Sequence, residues 1–355
     1  MRTVTAVSAD YVNRMADPRS RFYPNYSAYE NTQITRAELI SHLPHVAMIG
    51  DSLSRDAYIS SPLATLWRAR TRKDRDWFLN ADPFFTSVYS LFERLDRLTP
   101  LVATEYGGIG AMMEVDGMRQ SLCRKVLGTR NFSAQVDRVL SSKRFPDLIL
   151  IWIGHNNVDW AWRCPPDELK QPEQRLKSQA EWFRQNYAEQ VRRLIGRAQT
   201  EKHRVAIVVY GLVDFESYFK ARDAAEALRA KDRTLFPRLG TNVKYYVSMR
   251  PAYRQNLIRL VAMVNRALSA MADQLQAELD SEGTAHVQVH YSDALADVDL
   301  SPVKVIHAVD GWHPSIEGHN RFAEAAFNSL GSILEFLGIV QRDKPSRLKR
   351  AVAAR

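Results

Sequence analysis

At 355 residues, 45% hydrophobic and 25% charged, the chain has the composition of a globular protein long enough to bury a sizeable core. It has no run of about 18 apolar residues and no apolar segment near its start, so no transmembrane helix and no secretory signal are expected. Its two cysteines, Cys123 and Cys164, provide neither a disulfide framework nor a paired metal spacing. The net charge of +9 includes five basic residues in the tail "KPSRLKRAVAAR", and no basic stripe with interleaved aromatics accompanies them, so nucleic acid is not an expected partner. An acidic substrate or an anionic headgroup stays compatible with the charge, and a cytoplasmic location is expected.

Residues 1–40, rich in Tyr, Asn and Arg, read as an N-terminal extension ahead of the first strand. The main domain is expected over 41–340. Its apolar runs begin with "HVAMIG" (45–50), followed by a weaker candidate, "TPLVATEYG" (99–107). "DLILIWIG" (147–154) is the clearest, and "RVAIVVYG" (204–211) and "HVQVHYSD" (286–293) complete the set. Near-continuous Val- and Ile-rich runs of this kind suit parallel strands covered on both faces.

Apolar residues at helical spacing fall between these runs, at 87–98, 179–198, 252–279 and 317–337. Strands alternating with helices imply βαβ units with right-handed crossovers, and hence an α/β protein with three α/β/α layers. Residues 212–250 form a long insertion, of a length that usually marks a lid, a binding loop or a mobile segment. Residues 341–355 read as a basic, solvated tail.

In an open parallel sheet, ligands bind outside the carboxyl ends of the strands. Gly50-Asp51-Ser52 follows the first run, Gly107, Gly108 and Gly110 follow the second, and Gly154-His155-Asn156-Asn157 follows the third. Asp310 and His313 follow the last, in "VDGWHPSIEGHNRF". A serine, amide donors, an asparagine and an Asp/His pair on one rim are the components of acyl transfer. The spacing of Asp310 and His313 lets the carboxylate accept the imidazole Nδ1–H and leaves Nε2 to take the serine proton. Asn156 and backbone N–H groups supply donors for an oxyanion.

These segments resemble the SGNH (GDSL) hydrolases, a family of serine esterases, lipases and acyl hydrolases. "GDSLS" is similar to the serine block, "GGIGAMM" to the glycine block, "GHNN" to the Gly-x-Asn-Asp block and "DGWHPSIEGH" to the histidine block, spanning residues 50–319 in the family's order. The resemblance implies a mostly parallel, flavodoxin-like sheet, a triad of Ser52, His313 and Asp310, and an oxyanion hole of the Ser52 amide, a glycine amide and Asn156. Gly110 fits the glycine role by spacing, with Gly108 as its rival. Two departures stand out: Asn157 occupies the Asp place of its block, and Glu105 stands where an Asn often precedes the glycine.

Asp51, His155, Trp160 and Trp312 are candidate substrate contacts. His155 reads equally as a scaffold residue, and Trp160 and Trp162 equally as anchors of their loop. Arg55 reads as a solvated helix residue, with an anion contact as its alternative, and His319 as a structural residue of the last helix. His307, His313 and His319 lack the spacing of a zinc helix motif, so no metal and no cofactor are implied. The expected activity is cleavage of a small-molecule ester through an acyl-enzyme. Two alternatives are an acyltransferase that uses the same triad and a non-catalytic binding protein on the same fold.

Overall fold

A computed structural model of the chain describes residues 3–55, 75–82, 84–113, 131–161, 172–231, 251–307 and 312–340. Its centre is a six-stranded sheet of β1 (Val4–Val7), β2 (His45–Gly50), β3 (Val102–Glu105), β4 (Leu148–Trp152), β5 (Val205–Tyr210) and β6 (Val287–Ser292). The strands lie in the order β1-β3-β2-β4-β5-β6. β2 to β6 run parallel, and β1 pairs antiparallel with β3 at one edge. Every residue of β2, β4 and β5 is buried, which accounts for their unbroken apolar sequences, whereas β6 at the other edge alternates between buried and half-buried.

The strand order settles where the helices go. From β3 the chain crosses to β4, β5 and β6 in one direction, and the helices of those crossovers are α5 (Phe132–Leu140), α7 (Pro172–Glu201) and α9 (Pro251–Ser281). Right-handed crossovers place all three on the same face, and α7 packs against both α5 and α9. The step from β2 to β3 runs the opposite way, so its helix, α4 (Leu91–Asp96), lies on the other face against α10 (Ile316–Ser329). Ser90 opens α4 with a capping box to Glu93, and Ser315 caps α10 by accepting from the Gly318 N–H.

Sequence and structure part company in several places, the unforeseen helix α5 among them. The first strand lies inside the presumed N-terminal extension: β1 is followed by α1 (Tyr11–Ala16), α2 (Tyr23–Glu30) and α3 (Arg36–Ser41). Tyr11, Met15, Phe22, Leu39 and Leu43 from this segment form their own apolar cluster against Val102 of β3. The helix expected over 317–337 is two helices, because α10 ends at Ser329, Leu330 caps it, and α11 (Gly331–Phe336) begins anew at a glycine. The insertion at 212–250 opens with α8 (Phe215–Lys231); its remainder, 232–250, lies outside the described residues, as do the basic tail, Cys123 and Cys164. No described helix is long and apolar enough to cross a membrane.

Leu39 is completely enclosed. Leu39→Ala should therefore cost about 2–5 kcal/mol of stability, read as a lower urea midpoint with a single transition if the N-terminal segment unfolds with the sheet.

Candidate active site

The described residues expected to carry chemistry lie in segments that follow the carboxyl ends of the strands, where the sheet's hydrogen-bond ladder stops. At the end of β2 the Gln135 side chain takes over from it. The Gly50 N–H donates to Gln135 Oε1 (2.9 Å), and Gln135 Nε2 donates back to the Gly50 carbonyl (2.9 Å). Asp51 then caps a short 3₁₀ turn, Ser52–Ser54, by accepting from the Leu53 N–H at 3.0 Å. Ser52 and Ser54 are buried. Arg55, expected as a solvated helix residue, is instead buried at the end of this turn, because the turn closes after one round rather than continuing as an exposed helix.

After β3, Glu105 folds its carboxylate back to accept from the Gly107 N–H at 2.6 Å. The Gly108 N–H donates to the Gly50 carbonyl (3.1 Å), and the Ala111 N–H donates to the Gly108 carbonyl (2.9 Å), which closes a tight turn. Gly110 sits inside that turn with φ +73°, a conformation that favours glycine. No described residue accepts from its N–H.

β4 leads into α6 (His155–Ala161) through Gly154, whose φ is +123° and whose missing Cβ would come within 2.6 Å of the Phe183 ring. Asn156 Nδ2 donates to the Ala111 carbonyl (2.8 Å), and the Met113 N–H donates to Asn157 Oδ1 (2.8 Å). These two asparagines bind α6 to the glycine loop. Asn157, in the place of an aspartate, thus serves as an acceptor through its amide oxygen.

Asp51 and His155, considered above as substrate contacts, are enclosed and bonded to each other. Asp51 Oδ2 accepts from His155 Nδ1 (2.8 Å) and from the N–H groups of Gly154 and His155 (3.2 Å each). Burial pushes the Asp51 pKa up, but the pull of the His155 ring and the N–H groups of Leu53 and His155 outweighs it and holds the carboxyl below its ordinary value. The His155 ring stands edge-on to Trp152, with centroids 4.8 Å apart. Trp160 falls on α6; its side chain and Trp162 lie outside the described residues.

His313 lies on a loop held in place by its backbone. The His307 N–H donates to the His313 carbonyl (2.8 Å), Ile306 and Pro314 form an antiparallel bridge, and the Ser315 N–H donates to the Val305 carbonyl (2.9 Å). His313 is buried, and Asp310 lies outside the described residues. Trp312 packs on Phe215 and Tyr218 of α8, at ring distances of 5.5 and 5.0 Å. It also walls an apolar cavity of about 20 Å³, which Leu53, Val213, Val305, Pro314 and Phe322 help to line.

Residues 46–326 match the family described as GDSL-like Lipase/Acylhydrolase. The chain belongs to this family. No match to a curated protein was found. The GDSL match runs from β2 into α10, so it includes the serine turn, the glycine loop, the asparagines of α6 and the histidine loop.

Gln135 was not singled out by its sequence, although a buried polar residue within the apolar stripe of α5 (Phe132, Val136, Val139) is a signal of that kind. The other unforeseen contact concerns His319, which is fully buried as a structural residue: its Nδ1 accepts from the Trp77 N–H at 3.1 Å. Burial pushes the His319 pKa down from 6.5 to about 3, and burial likewise lowers that of His45 to about 4. Both histidines stay neutral in the folded protein at pH values where the unfolded chain binds the proton. Stability is therefore present above pH 6.5 and is lost as the pH falls toward about 4 for His45 and about 3 for His319. Urea midpoints should drop across that window, and His319→Gln should flatten the dependence.

Proposed function

We propose that this GDSL-family protein hydrolyses a carboxylic ester through an acyl-enzyme on Ser52. Ser52 attacks the ester carbonyl, His313 takes its proton and returns it to the leaving alcohol, and Asp310 orients the imidazole. Water then releases the acyl group with His313 as base. The developing oxyanion is held by the Ser52 amide, the Gly110 amide and the Asn156 side chain. The observation that supports this reading is the bond from Asn156 Nδ2 to the Ala111 carbonyl, which ties the asparagine amide to the residue that follows Gly110 in the glycine loop. Gly110 is preferred to Gly108 because the Gly108 N–H is already donated to the Gly50 carbonyl.

The small cavity between Leu53 and the residues flanking His313 has room for about one methyl-sized group. An acyl chain seated in it would have to be short. Transfer to a hydroxyl acceptor would use the same steps with an alcohol in place of water, and a transfer product on adding acceptor distinguishes it.

Hydrolysis of p-nitrophenyl acetate should exceed that of the octanoate and should vanish in Ser52→Ala. A fluorophosphonate probe should label Ser52 and leave the alanine variant unlabelled; a wild type that is neither active nor labelled favours a binding protein. Asn156→Ala should lower kcat by about 10²–10³-fold, the usual loss for one oxyanion donor.

A further inference from the structure

Resting on that reading, we propose that His155 is a positioning residue which, through Asp51, sets the spacing between the nucleophile and the oxyanion amide. The observation is where the pair sits. Asp51 precedes Ser52 directly, and His155 precedes Asn156 directly. The two side chains bridge the turns after β2 and β4 with a 2.8 Å bond, away from solvent.

The bridge is heavily determined. One oxygen of Asp51 fixes the serine turn through the Leu53 N–H, and the other gathers three donors from Gly154 and His155. A buried carboxylate with this many donors has no second arrangement of comparable energy, because each donor it leaves is stranded away from water. Rotation of either turn would break several of these bonds together.

His155 also reaches a third strand end. Its Nε2 accepts from the Val213 N–H at 3.4 Å, so Nδ1 is the protonated nitrogen, the one that donates to Asp51. Val213 leads into α8, and Phe215 and Tyr218 of that helix pack on Trp312, the neighbour of His313. The same imidazole thus touches the turns after β2 and β5 from its own place after β4, and through α8 it supports the histidine loop. Both ring nitrogens are engaged within the protein, so the residue acts on the reacting groups only through their backbone.

The test compares His155→Leu, which removes both nitrogens, with His155→Asn, whose amide places a donor at the Nδ1 position. Measured on p-nitrophenyl acetate with thermal unfolding in parallel, folded His155→Leu should lose about 100-fold in kcat, the usual effect of a small misplacement, with KM within threefold. Fluorophosphonate labelling of Ser52 should slow in proportion, and His155→Asn should recover to within tenfold of wild type. Should the leucine variant not fold, His155→Gln, which lacks the Nδ1 donor, should show the same kcat loss. Unchanged kcat in a folded variant lacking the donor, or a rise in KM alone, would overturn the positioning role. Equal loss in the asparagine variant would do the same. A wild type whose Ser52 is neither active nor labelled overturns the hydrolase reading itself, which is a separate outcome.

Discussion

A parallel sheet must end somewhere, and where its ladder ends each buried backbone N–H and carbonyl needs a new partner. Along the carboxyl rim of this sheet those partners are side chains. Gln135 satisfies both backbone groups of Gly50, and Asn265 does the same for Leu212, accepting from its N–H at 2.8 Å and donating to its carbonyl at 3.0 Å. Tyr187 accepts from the Ile153 N–H and donates to the Ile153 carbonyl, and Trp152 Nε1 donates to the carbonyl of Gly211. The loops that leave the strands are therefore fixed at their roots. A site assembled from such loops inherits the rigidity of the core beneath it.

The strand order concentrates this effect. Because β2 lies between β3 and β4, the chain leaves β2 toward β3 and β4 toward β5, in opposite directions, and a crevice opens between β2 and β4. The serine turn borders this crevice, with the glycine loop on one side and α6 on the other. Asn156 and Asn157 close the circle by bonding α6 to the glycine loop. Three segments distant in sequence thus become one hydrogen-bonded unit around Ser52.

Much of this was legible in the sequence, for identifiable reasons. β2, β4 and β5 announced themselves because the burial of every residue imposes apolar runs, and β6 through valines at its buried positions; the turns after β2 and β4 could be read off directly. β1 was hidden: four residues on an antiparallel edge, with partly exposed positions, leave no such run. Partnerships across long separations were hidden as well. Nothing local to Gly50 points to Gln135, 85 residues away, and nothing local to Asp51 shows that its charge is spent on His155, 104 residues away. The burial of Arg55 escaped for a related reason, since it depends on a turn that stops after three residues.

Asn157 has a consequence of its own. Its amide oxygen holds the Met113 N–H as a carboxylate oxygen would, at 2.8 Å and in a buried setting. A second anion at that place would stand one residue from Asn156, where the proposed reaction gathers negative charge, and in a low-dielectric surrounding like charges repel strongly. The neutral amide keeps the bond and omits the repulsion. The glycine loop is therefore anchored without adding to the field that a developing oxyanion must overcome.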